Sequence, residues 1–249
     1  MCPKQTTEIE TPRPPFDLDA ECEYTCADCR DSGIKFVTGG VTPCQCAASE
    51  SYWRGAAEMA GIPKAFRNAT LRTYKPRNKG QAAAFRGAKS LVKLLGEKRL
   101  DCQSMTGMLL HGGTGCGKSH LAAAIANTMI RQGCSVEWQN VPELYYSLIS
   151  SMRDDGHGPE QIIKQLDRRW LLVLDDIGAE KASEFAVGAI YQILNKRVEG
   201  GRPLIATSNF DPAQLGDRIG ERNASRLTGL CIAACLPGKD QRATDGATA

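Results

Sequence analysis

The sequence predicts a three-layer α/β sandwich, in which helices cover both faces of a five-stranded parallel sheet. From Thr106 onward, short apolar runs alternate with amphipathic stretches, which is typical of strands joined by crossover helices. A glycine-rich loop follows the first apolar run, and a later run ends in two carboxylates. The length of 249 residues allows one full-sized domain and a small appendage, and 42% hydrophobic residues can supply a core.

Five strands and five helices are predicted in this part of the chain. The strands are Gly107–His111, Ser135–Gln139, Trp170–Leu174, Pro203–Ser208 and Leu230–Cys235. The helices are Lys118–Arg131, Val141–Arg153, Pro159–Asp167, Ser183–Val198 and Ala213–Leu227. In the first of these helices Leu121, Ile125 and Met129 recur at four-residue spacing, as a core-facing stripe requires.

The chain ahead of the sheet divides into three parts by composition. Residues 1–21 are rich in Pro, Thr and Glu and predict a flexible arm. Residues 22–60 form a cysteine-containing module, and residues 61–100 form a linker and helical region that precedes the α/β domain of 101–249. Helices are predicted at Ser49–Ala60 and Gly80–Leu95. No run approaches the length of a membrane span and no signal peptide is recognisable, so a cytoplasmic protein with no membrane partner is expected.

The net charge of +3 hides an uneven distribution. Residues 1–31 carry eight carboxylates against three basic side chains, whereas nine Lys or Arg and no acid lie between Lys64 and Gly96. Such a basic run is compatible with a solvated face. It is equally compatible with a surface that meets phosphates or an acidic partner.

The glycine-rich loop fits the pattern G-x-x-x-x-G-K-[ST] of a nucleotide-binding P-loop. Its glycines allow backbone N–H groups to surround a phosphate at the start of a helix. Lys118 is expected to bridge the β- and γ-phosphates of ATP, and the Ser119 hydroxyl to coordinate Mg²⁺. The expected nucleotide-binding residues are Gly112, Gly113, Thr114, Gly115, Cys116, Gly117, Lys118, Ser119 and His120.

Two further strands end in polar side chains at the same edge of the predicted sheet. Asp175 and Asp176 follow the apolar run that starts at Trp170. Asp175 suits the Mg²⁺ shell, and Asp176 suits orienting and polarising the attacking water. Asn209 follows the next strand, where its amide could hold that water. These residues predict hydrolysis of ATP as well as binding.

Paired cysteines in the amino-terminal module predict a zinc site. Cys26 and Cys29 form a C-x₂-C pair, and Cys44 and Cys46 form a C-x-C pair after fourteen intervening residues. Four thiolates can close a tetrahedral Zn²⁺ site. Cys22 is a possible substitute ligand, and an iron–sulfur cluster is the alternative use of four thiolates. Cys102, Cys134, Cys231 and Cys235 are interpreted as small buried apolar residues.

Taken together, these motifs resemble the DnaC/DnaI-type helicase loaders, AAA+ ATPases related to DnaA and to the helper ATPase of IS21-type transposons. The resemblance is carried, in order, by the segments AGIPKAFRNATLRTY, GGTGCGKSHLAAAIAN, LLVLDDIG, RPLIATSNF and GERNASRL. It covers residues 22–242. It makes Lys118 and Ser119 the Walker A pair, Asp175 and Asp176 the Walker B pair, and Asn209 sensor 1.

The same resemblance implies partners and a catalytic residue supplied by a neighbour. Arg226 corresponds to an arginine finger that reaches the ATP of the next subunit, which implies self-association in the ATP state; Arg222 is the alternative finger. The resemblance also implies that the cysteine module binds a replicative DNA helicase, and it strengthens the zinc assignment. Residues that would contact single-stranded DNA are Tyr145, Tyr146, Arg153 and Lys164. Only residues 231–249 follow Leu230, so little or no carboxy-terminal lid is expected, with Arg242 as a weak sensor 2 candidate.

The function expected from the sequence is ATP-dependent loading of a replicative helicase onto single-stranded DNA during initiation of replication. Two alternatives remain open at this point. One is a transposition helper ATPase of the IS21 type, against which the cysteine module argues. The other is an adaptor that binds ATP without hydrolysing it, against which Lys118, Asp175, Asp176 and Asn209 argue.

Overall fold

The computed structural model describes residues 34–37, 40–43, 50–97, 107–152, 158–179, 183–238 and 240. The chain is divided into two compact units, Met1–Ser49 and Glu50–Ala249. In the first unit β1 (Ile34–Val37) and β2 (Gly40–Pro43) form an antiparallel hairpin. Ile34 pairs with Pro43 and Val37 pairs with Gly40, so the first residue of β1 lies opposite the last residue of β2. Sequence analysis did not predict these two short strands.

The second unit contains the predicted five-stranded parallel sheet. Its strands are β3 (Gly107–His111), β4 (Val136–Asn140), β5 (Leu171–Asp175), β6 (Leu204–Ser208) and β7 (Cys231–Cys235). They lie in the order β4-β5-β6-β3-β7, and every neighbouring pair is parallel. Because β6 lies between β3 and β5, the residue after β6 lies between the loops that follow β3 and β5. This topology positions the nucleotide site.

Eight helices surround the sheet in the described part of the chain. They are α1 (Glu50–Met59), α2 (Lys79–Gly96), α3 (Lys118–Arg131), α4 (Val141–Ser151), α5 (Pro159–Arg168), α6 (Glu184–Glu199), α7 (Leu215–Ile219) and α8 (Glu221–Leu230). Short 3₁₀ turns occupy Lys64–Phe66 and Pro212–Gln214. None of the helices in the described ranges has the length and apolarity needed to cross a membrane.

Two hydrophobic clusters confirm the three-layer arrangement. One cluster joins α1, α2 and α3 to the sheet face that carries Leu110 and Val173. The other joins α4 to α8 to the opposite face, which carries Leu109 and Leu174. Successive residues of a strand point to opposite faces, so a strand covered on both sides is buried throughout, as β3 and β5 are.

The region ahead of the sheet packs closely on α3. Ala57, Ile62 and Tyr74 lie in the same buried cluster as the core-facing stripe of α3. Asn127 of α3 donates hydrogen bonds of 3.0 and 2.9 Å to the carbonyl oxygens of Phe66 and Ala69. The structure therefore groups residues 50–97 with the sheet, whereas the sequence interpretation divided them between the cysteine module and a linker.

Most predicted elements agree with the structure to within one or two residues, but the last helix differs. The predicted helix Ala213–Leu227 is a 3₁₀ turn followed by α7 and α8, with a break at Gly220. Gly220 has a φ of 89°, which ends α7 and turns the chain into α8. Asn223 stabilises this bend by donating to the carbonyl oxygens of Val187 and Ile219 at 2.9 and 2.8 Å.

The cysteines outside the paired motif also differ in part from expectation. Cys231 is buried, as predicted, while Cys134 is half-buried and Cys235 is exposed. Cys235 lies on β7, an edge strand of the sheet, which explains why it is not enclosed. Cys102 lies outside the described residues.

Candidate nucleotide site

The P-loop joins β3 to α3 in a conformation that requires glycine. Gly112 has a φ of 144°, and a Cβ at this position would overlap the carbonyl oxygen of Leu236. Gly117, which immediately precedes α3, has a φ of 96° and lies beside the ring of Tyr74. Residues with a Cβ atom rarely adopt φ values in this positive range. The two glycines therefore allow the backbone to make a tight turn at the amino-terminal end of α3. A glycine-rich loop at the start of a helix has the shape of a cradle that can accept a phosphate.

Lys118 is held within this cradle. Its ammonium group donates to the carbonyl oxygens of Gly112 and Gly113, both at 2.8 Å, and to Oδ1 of Asn209 at 2.7 Å. Only 6% of the residue is exposed. The structure therefore brings Lys118 and Asn209 together, although 91 residues separate them in sequence.

Ser119 and Asp175 form the oxygen-rich part of the site. The Ser119 hydroxyl donates to Oδ1 of Asp175 at 2.9 Å, and the Thr207 hydroxyl donates to the same oxygen at 2.6 Å. Burial raises the pKa of Asp175, and the hydrogen bonds from Thr207 and Ser119 partly offset that increase. A hydroxyl beside a carboxylate matches the hard oxygen ligands that Mg²⁺ prefers, and Mg²⁺ in nucleotide sites takes few protein ligands. These residues fit the ion.

Asp176 directly follows β5 and has an uncommon backbone conformation. Its φ of 63° is the only positive value at a non-glycine residue in the described part of the chain. Its backbone N–H donates to the Thr207 hydroxyl at 2.9 Å, and its carboxylate accepts a 2.7 Å hydrogen bond from Nδ2 of Asn209. Asn209 thus contacts Lys118 through its oxygen and Asp176 through its nitrogen. One amide joins the Lys118 ammonium group to the Asp176 carboxylate.

Sequence reasoning missed Thr207, which connects both carboxylates. Its hydroxyl donates to Asp175 and accepts from the Asp176 backbone. The signal was a polar residue at a buried position of an apolar strand, where a hydroxyl needs partners. Arg218 was also missed. It donates to the carbonyl oxygens of Gly178 and Ala179 at 2.9 and 2.7 Å, and so braces the loop that follows Asp176.

An aromatic cluster borders the start of α3. The Tyr74 ring stacks on Phe85 at a centroid distance of 5.5 Å and meets the edge of His120 at 5.6 Å. Burial raises the pKa of Tyr74 to about 12 and lowers the pKa of His120. Within the described residues, the Tyr74 hydroxyl and Nε2 of His120 are buried without a hydrogen-bond partner. Each of these polar atoms is therefore enclosed beside the P-loop with its hydrogen-bonding capacity unused.

The segment after β7 packs along the P-loop. Asn78 and Gln81 donate to the carbonyl oxygen of Pro237 at 2.7 and 3.1 Å, and Gln81 also donates to that of Cys116 at 3.3 Å. A Cβ on Gly115 would overlap the carboxylate of Asp240. The described residues that follow β7 are 236–238 and 240, and none of these four residues is helical.

The two candidate finger arginines lie on α8. Arg226 donates to the Tyr191 hydroxyl at 2.7 Å, and its guanidinium carbon lies 4.6 Å from the centre of that ring. Arg222 is exposed one turn earlier on the helix. Within the described residues, no hydrogen bond or ion pair joins either arginine to the P-loop of its own chain, and the roles predicted for both stay hypotheses.

The residues expected to bind DNA or zinc differ in their exposure and in whether the structure describes them. Tyr145 is buried against the core, whereas Tyr146 is 67% exposed. Lys164 is exposed on α5. Arg153, Arg242 and the four zinc candidates Cys26, Cys29, Cys44 and Cys46 lie outside the described residues. Within the described ranges, no group of three or more His, Cys, Asp or Glu side chains forms a metal site.

Known proteins resemble this chain in sequence. The uncharacterized protein YdaV of Escherichia coli K12 is 31% identical over 169 residues, which are 68% of this chain and 65% of YdaV. The replicative helicase loader DnaC of the same strain is 28% identical over 168 residues, 68% of this chain and 66% of DnaC. The matches therefore span slightly less than two thirds of these relatives. The phage-like element PBSX protein XkdC of Bacillus subtilis is 28% identical over 233 residues, 87% of this chain and 83% of XkdC.

Solved structures share the fold. A crystal structure of the DnaC helicase loader matches with a TM-score of 0.60 and 25% identity, over 70% of this chain and 99% of that one. A crystal structure of DnaI matches with a TM-score of 0.60 and 27% identity, over 73% and 94%. DnaA of Aquifex aeolicus bound to AMPPCP matches with a TM-score of 0.59 and 20% identity, over 70% and 51%. The fold is that of the AAA+ proteins.

A family model described as IstB-like ATP binding protein matches residues 88–225. This range contains the P-loop, both carboxylates, Asn209 and Arg222. It covers 138 of the 249 residues, more than half of the sequence. The P-loop geometry and this match lead to the same conclusion: the chain belongs to the family of IstB-like ATP binding proteins.

Proposed function

We propose that this chain hydrolyses ATP and uses it to load a replicative DNA helicase onto single-stranded DNA. The observation that carries the proposal is the position of Asn209, which contacts both Lys118 and Asp176 within a fold similar to DnaC and DnaI. A protein that only bound ATP would not require an amide between the phosphate cradle and a second carboxylate.

In the proposed reaction, Lys118 binds the phosphates of ATP. Its ammonium group now donates to two loop carbonyl oxygens and to Asn209, and phosphate oxygens would be stronger, charged acceptors. The Ser119 hydroxyl and the Asp175 carboxylate would hold Mg²⁺, which neutralises charge on the phosphates when bound. The Tyr74 ring lies beside Gly117 and would border the bound phosphates.

Asp176 and Asn209 would act on the water that attacks the γ-phosphate. Asp176 is fixed by its backbone hydrogen bond to Thr207 and by the Asn209 amide, so its carboxylate has little freedom to move. A carboxylate held in this way can orient the water and accept its proton as the new P–O bond forms. The bond between the γ-phosphate and ADP then breaks, which leaves ADP and phosphate.

Association of subunits would complete the site. Arg226 lies on α8 and interacts with Tyr191 instead of the P-loop of its own chain. In a neighbouring subunit the guanidinium could stabilise charge on the transferred phosphate, as arginine fingers do in P-loop enzymes. ATP would then promote assembly, and assembly would promote hydrolysis.

Single-stranded DNA would bind near α4 and α5. Tyr146 and Ile149 of α4 and Met152, which caps its carboxyl end, recur at three-residue spacing and are all exposed. An exposed tyrosine can stack on a base, and Lys164 on α5 can contact phosphates. Burial of Tyr145 in the core makes it a structural residue in this proposal, so Tyr146 is the aromatic candidate.

The cysteine module would bind the helicase and zinc. The β1–β2 hairpin lies between the two cysteine pairs in sequence, and its pairing of Ile34 with Pro43 is compatible with two thiolate pairs that share one ion. A structural zinc would supply stability that so small a unit cannot obtain from a hydrophobic core.

Reconstitution with purified components tests this function. The full chain, the replicative hexameric helicase of the same cell and single-stranded circular DNA coated with its binding protein should yield ATP-dependent transfer of the helicase, measured by unwinding of an annealed strand. Lys118→Ala should abolish the transfer. If unwinding does not depend on the added chain, while the helicase is active on uncoated DNA, the loader function is wrong.

The family description favours a second candidate, a helper ATPase of IS21-type transposition. The same reconstituted reaction separates the two functions. A transposition helper should hydrolyse ATP but should neither bind the helicase nor promote its transfer to DNA. Absence of phosphate release under all of these conditions would instead indicate an adaptor that does not hydrolyse ATP.

A further inference from the structure

The cations between Lys64 and Gly96 form a surface that the ATP site described above does not use. Its nine cations have no acidic residue among them. One of them, Arg67, forms a 3.0 Å ion pair with Glu58 and donates to the carbonyl oxygen of Ile62. The other eight are exposed: Lys64, Arg72, Lys75, Arg77, Lys79, Arg86, Lys89 and Lys93.

Helix α2 arranges four of these cations on one side. Its buried residues, which include Ala84, Ala88 and Leu95, pack towards α3, β3 and β7. Lys79, Arg86 and Lys93 are spaced seven residues apart and so lie almost in line along the outward face, with a span of about 21 Å at 1.5 Å per residue. Lys89 lies next to this line, with its ammonium group 5.4 Å from the centre of the Phe85 ring.

This arrangement destabilises the helix by itself. Arg86 and Lys89, and Lys89 and Lys93, are like charges at spacings of three and four residues, where they repel each other. Lys79 occupies the first turn, which contains no acidic residue and where a positive charge opposes the helix dipole. The negative charge of a polyanion bound along the helix would offset these repulsions.

The rest of the surface suits a phosphate backbone better than a protein. Protein interfaces depend on large apolar or aromatic anchors. Among the described residues, the large hydrophobic side chains that are exposed are Met59, Tyr146, Ile149, Met152, Val198 and Ile232, and none belongs to residues 60–97. Between the cations of α2 the exposed residues are Ala83, Gly87 and Ser90, which are small enough to let a backbone approach.

The outward face of α2 has no exposed aromatic ring, and this favours duplex DNA over single-stranded DNA as its ligand. Proteins that bind single strands combine cations with aromatic side chains on which bases stack. Tyr74 is buried and Phe85 is partly covered, where it stacks on Tyr74. Cations without a stacking platform match the regular phosphates of a duplex, which are contacted without regard to sequence.

We propose that the outward face of α2, formed by Lys79, Arg86, Lys89 and Lys93, binds the phosphate backbone of duplex DNA. The cations of the preceding link extend this surface. It is distinct from the site proposed for single-stranded DNA on α4 and α5, and it is compatible with either function considered above.

Binding of the full chain to a labelled 30-base-pair duplex, measured by fluorescence anisotropy at several salt concentrations, tests the proposal. Arg86→Gln/Lys93→Gln should weaken binding about tenfold at low salt and reduce the slope of log affinity against log salt by about two. Arg131→Gln/Lys196→Gln removes the same charge from α3 and α6 and should leave the slope unchanged. Arg86→Lys/Lys93→Arg should bind as the original chain does.

Protein stability provides an independent readout. Loss of repulsion along α2 should leave the Tm of Arg86→Gln/Lys93→Gln equal or higher, so weaker binding cannot be attributed to unfolding. An unchanged duplex affinity and salt slope in this variant would overturn the proposal. So would a loss confined to a single strand of the same sequence, or a loss confined to binding of a protein partner, since either would assign the surface to a different ligand.

Discussion

Arg226 donates a 2.7 Å hydrogen bond to the hydroxyl of Tyr191 and stacks on its ring. This contact connects α8 to α6, and within the described residues Nε of Arg226 is buried without a partner of its own. A hydrogen bond from a charged group and a cation–π contact together are worth about 2–4 kcal/mol. That energy is small enough for Arg226 to leave Tyr191 when a neighbouring nucleotide offers a phosphate.

Arg226→Ala should bind ATP almost normally and hydrolyse it on the order of 10³-fold more slowly, even with helicase and single-stranded DNA present. Mixing this variant with Asp176→Asn should restore part of the activity, because one partner supplies an intact pocket and the other an intact arginine. Steady-state phosphate release measures the effect. If the mixture remains inactive while the two variants co-assemble, Arg226 is not a finger in trans, and Arg222→Ala becomes the variant to examine.

Lys118→Ala and Asp176→Asn should separate nucleotide binding from hydrolysis. Lys118→Ala removes a cation that meets phosphates in the ground state, so binding of a fluorescent ATP analogue should weaken. Asp176→Asn retains an oxygen that can accept from Asn209, and Asn tolerates a positive φ, so binding should persist while turnover stops. Normal hydrolysis in Asp176→Asn would refute the role given to this carboxylate.

Thr207→Val should reduce both stability and turnover. Valine has the shape of threonine but leaves the backbone N–H of Asp176 buried without its acceptor, which costs about 1–3 kcal/mol. It also frees Asp175 from the 2.6 Å hydrogen bond that fixes its carboxylate. Thr207→Ser is the matched control and should behave almost as the original chain. Equal stability of the two variants in urea would show that the hydroxyl is dispensable.

Asp175→Asn should stabilise the nucleotide-free protein at neutral pH. Burial raises the pKa of Asp175 in the folded chain above its ordinary value of 3.8, so at mildly acidic pH the folded chain binds more protons than the unfolded one. The ionised carboxylate therefore costs stability above the folded-state pKa, and this cost decreases as the pH falls from that value towards 3.8.

The expected result is a higher Tm for Asp175→Asn at pH 7, with a difference that shrinks as the pH is lowered. The amide oxygen can still accept from Ser119 and Thr207, so the hydrogen bonds survive. The same variant should lose Mg²⁺-dependent nucleotide binding. Asp217→Asn removes the same charge from an exposed position of α7 and controls for net charge. A pH-independent difference in Tm would contradict the explanation by burial.

Purified protein should contain one zinc ion per chain, bound by Cys26, Cys29, Cys44 and Cys46. Elemental analysis measures it, and Cys26→Ser/Cys29→Ser should lose the metal. Cys235→Ser, at an exposed cysteine of β7, should retain it. Less than about a third of an equivalent in protein never exposed to a chelator would count against the site.

Local patterns predicted the sheet and the residues along its functional edge. The P-loop is a contiguous motif, and Asp175 and Asn209 follow strands whose apolar runs define them. The parallel arrangement then places the ends of those strands together. Gly220 was missed because a single glycine within a helical pattern gives no sign that its φ will be positive.

Contacts between distant parts of the chain could not be predicted in this way. Arg226 and Tyr191 are 35 residues apart, and Gln81 and Pro237 are 156 residues apart. Neither pair is part of a sequence motif or a regular spacing. Both contacts depend on how the helices pack on the two faces of the sheet. Packing of the segment after β7 along the P-loop belongs to the same class.

The hydrogen bond from Gln81 to the carbonyl oxygen of Cys116 gives α2 a direct connection to the P-loop. Gln81 is 1% exposed and also holds Pro237, so movement of the loop cannot leave the helix unaffected. If duplex DNA binds the outer face of α2, occupancy of the nucleotide site and occupancy of DNA become thermodynamically linked. Linkage is reciprocal: whatever factor ATP contributes to the affinity for DNA, DNA must contribute to the affinity for ATP.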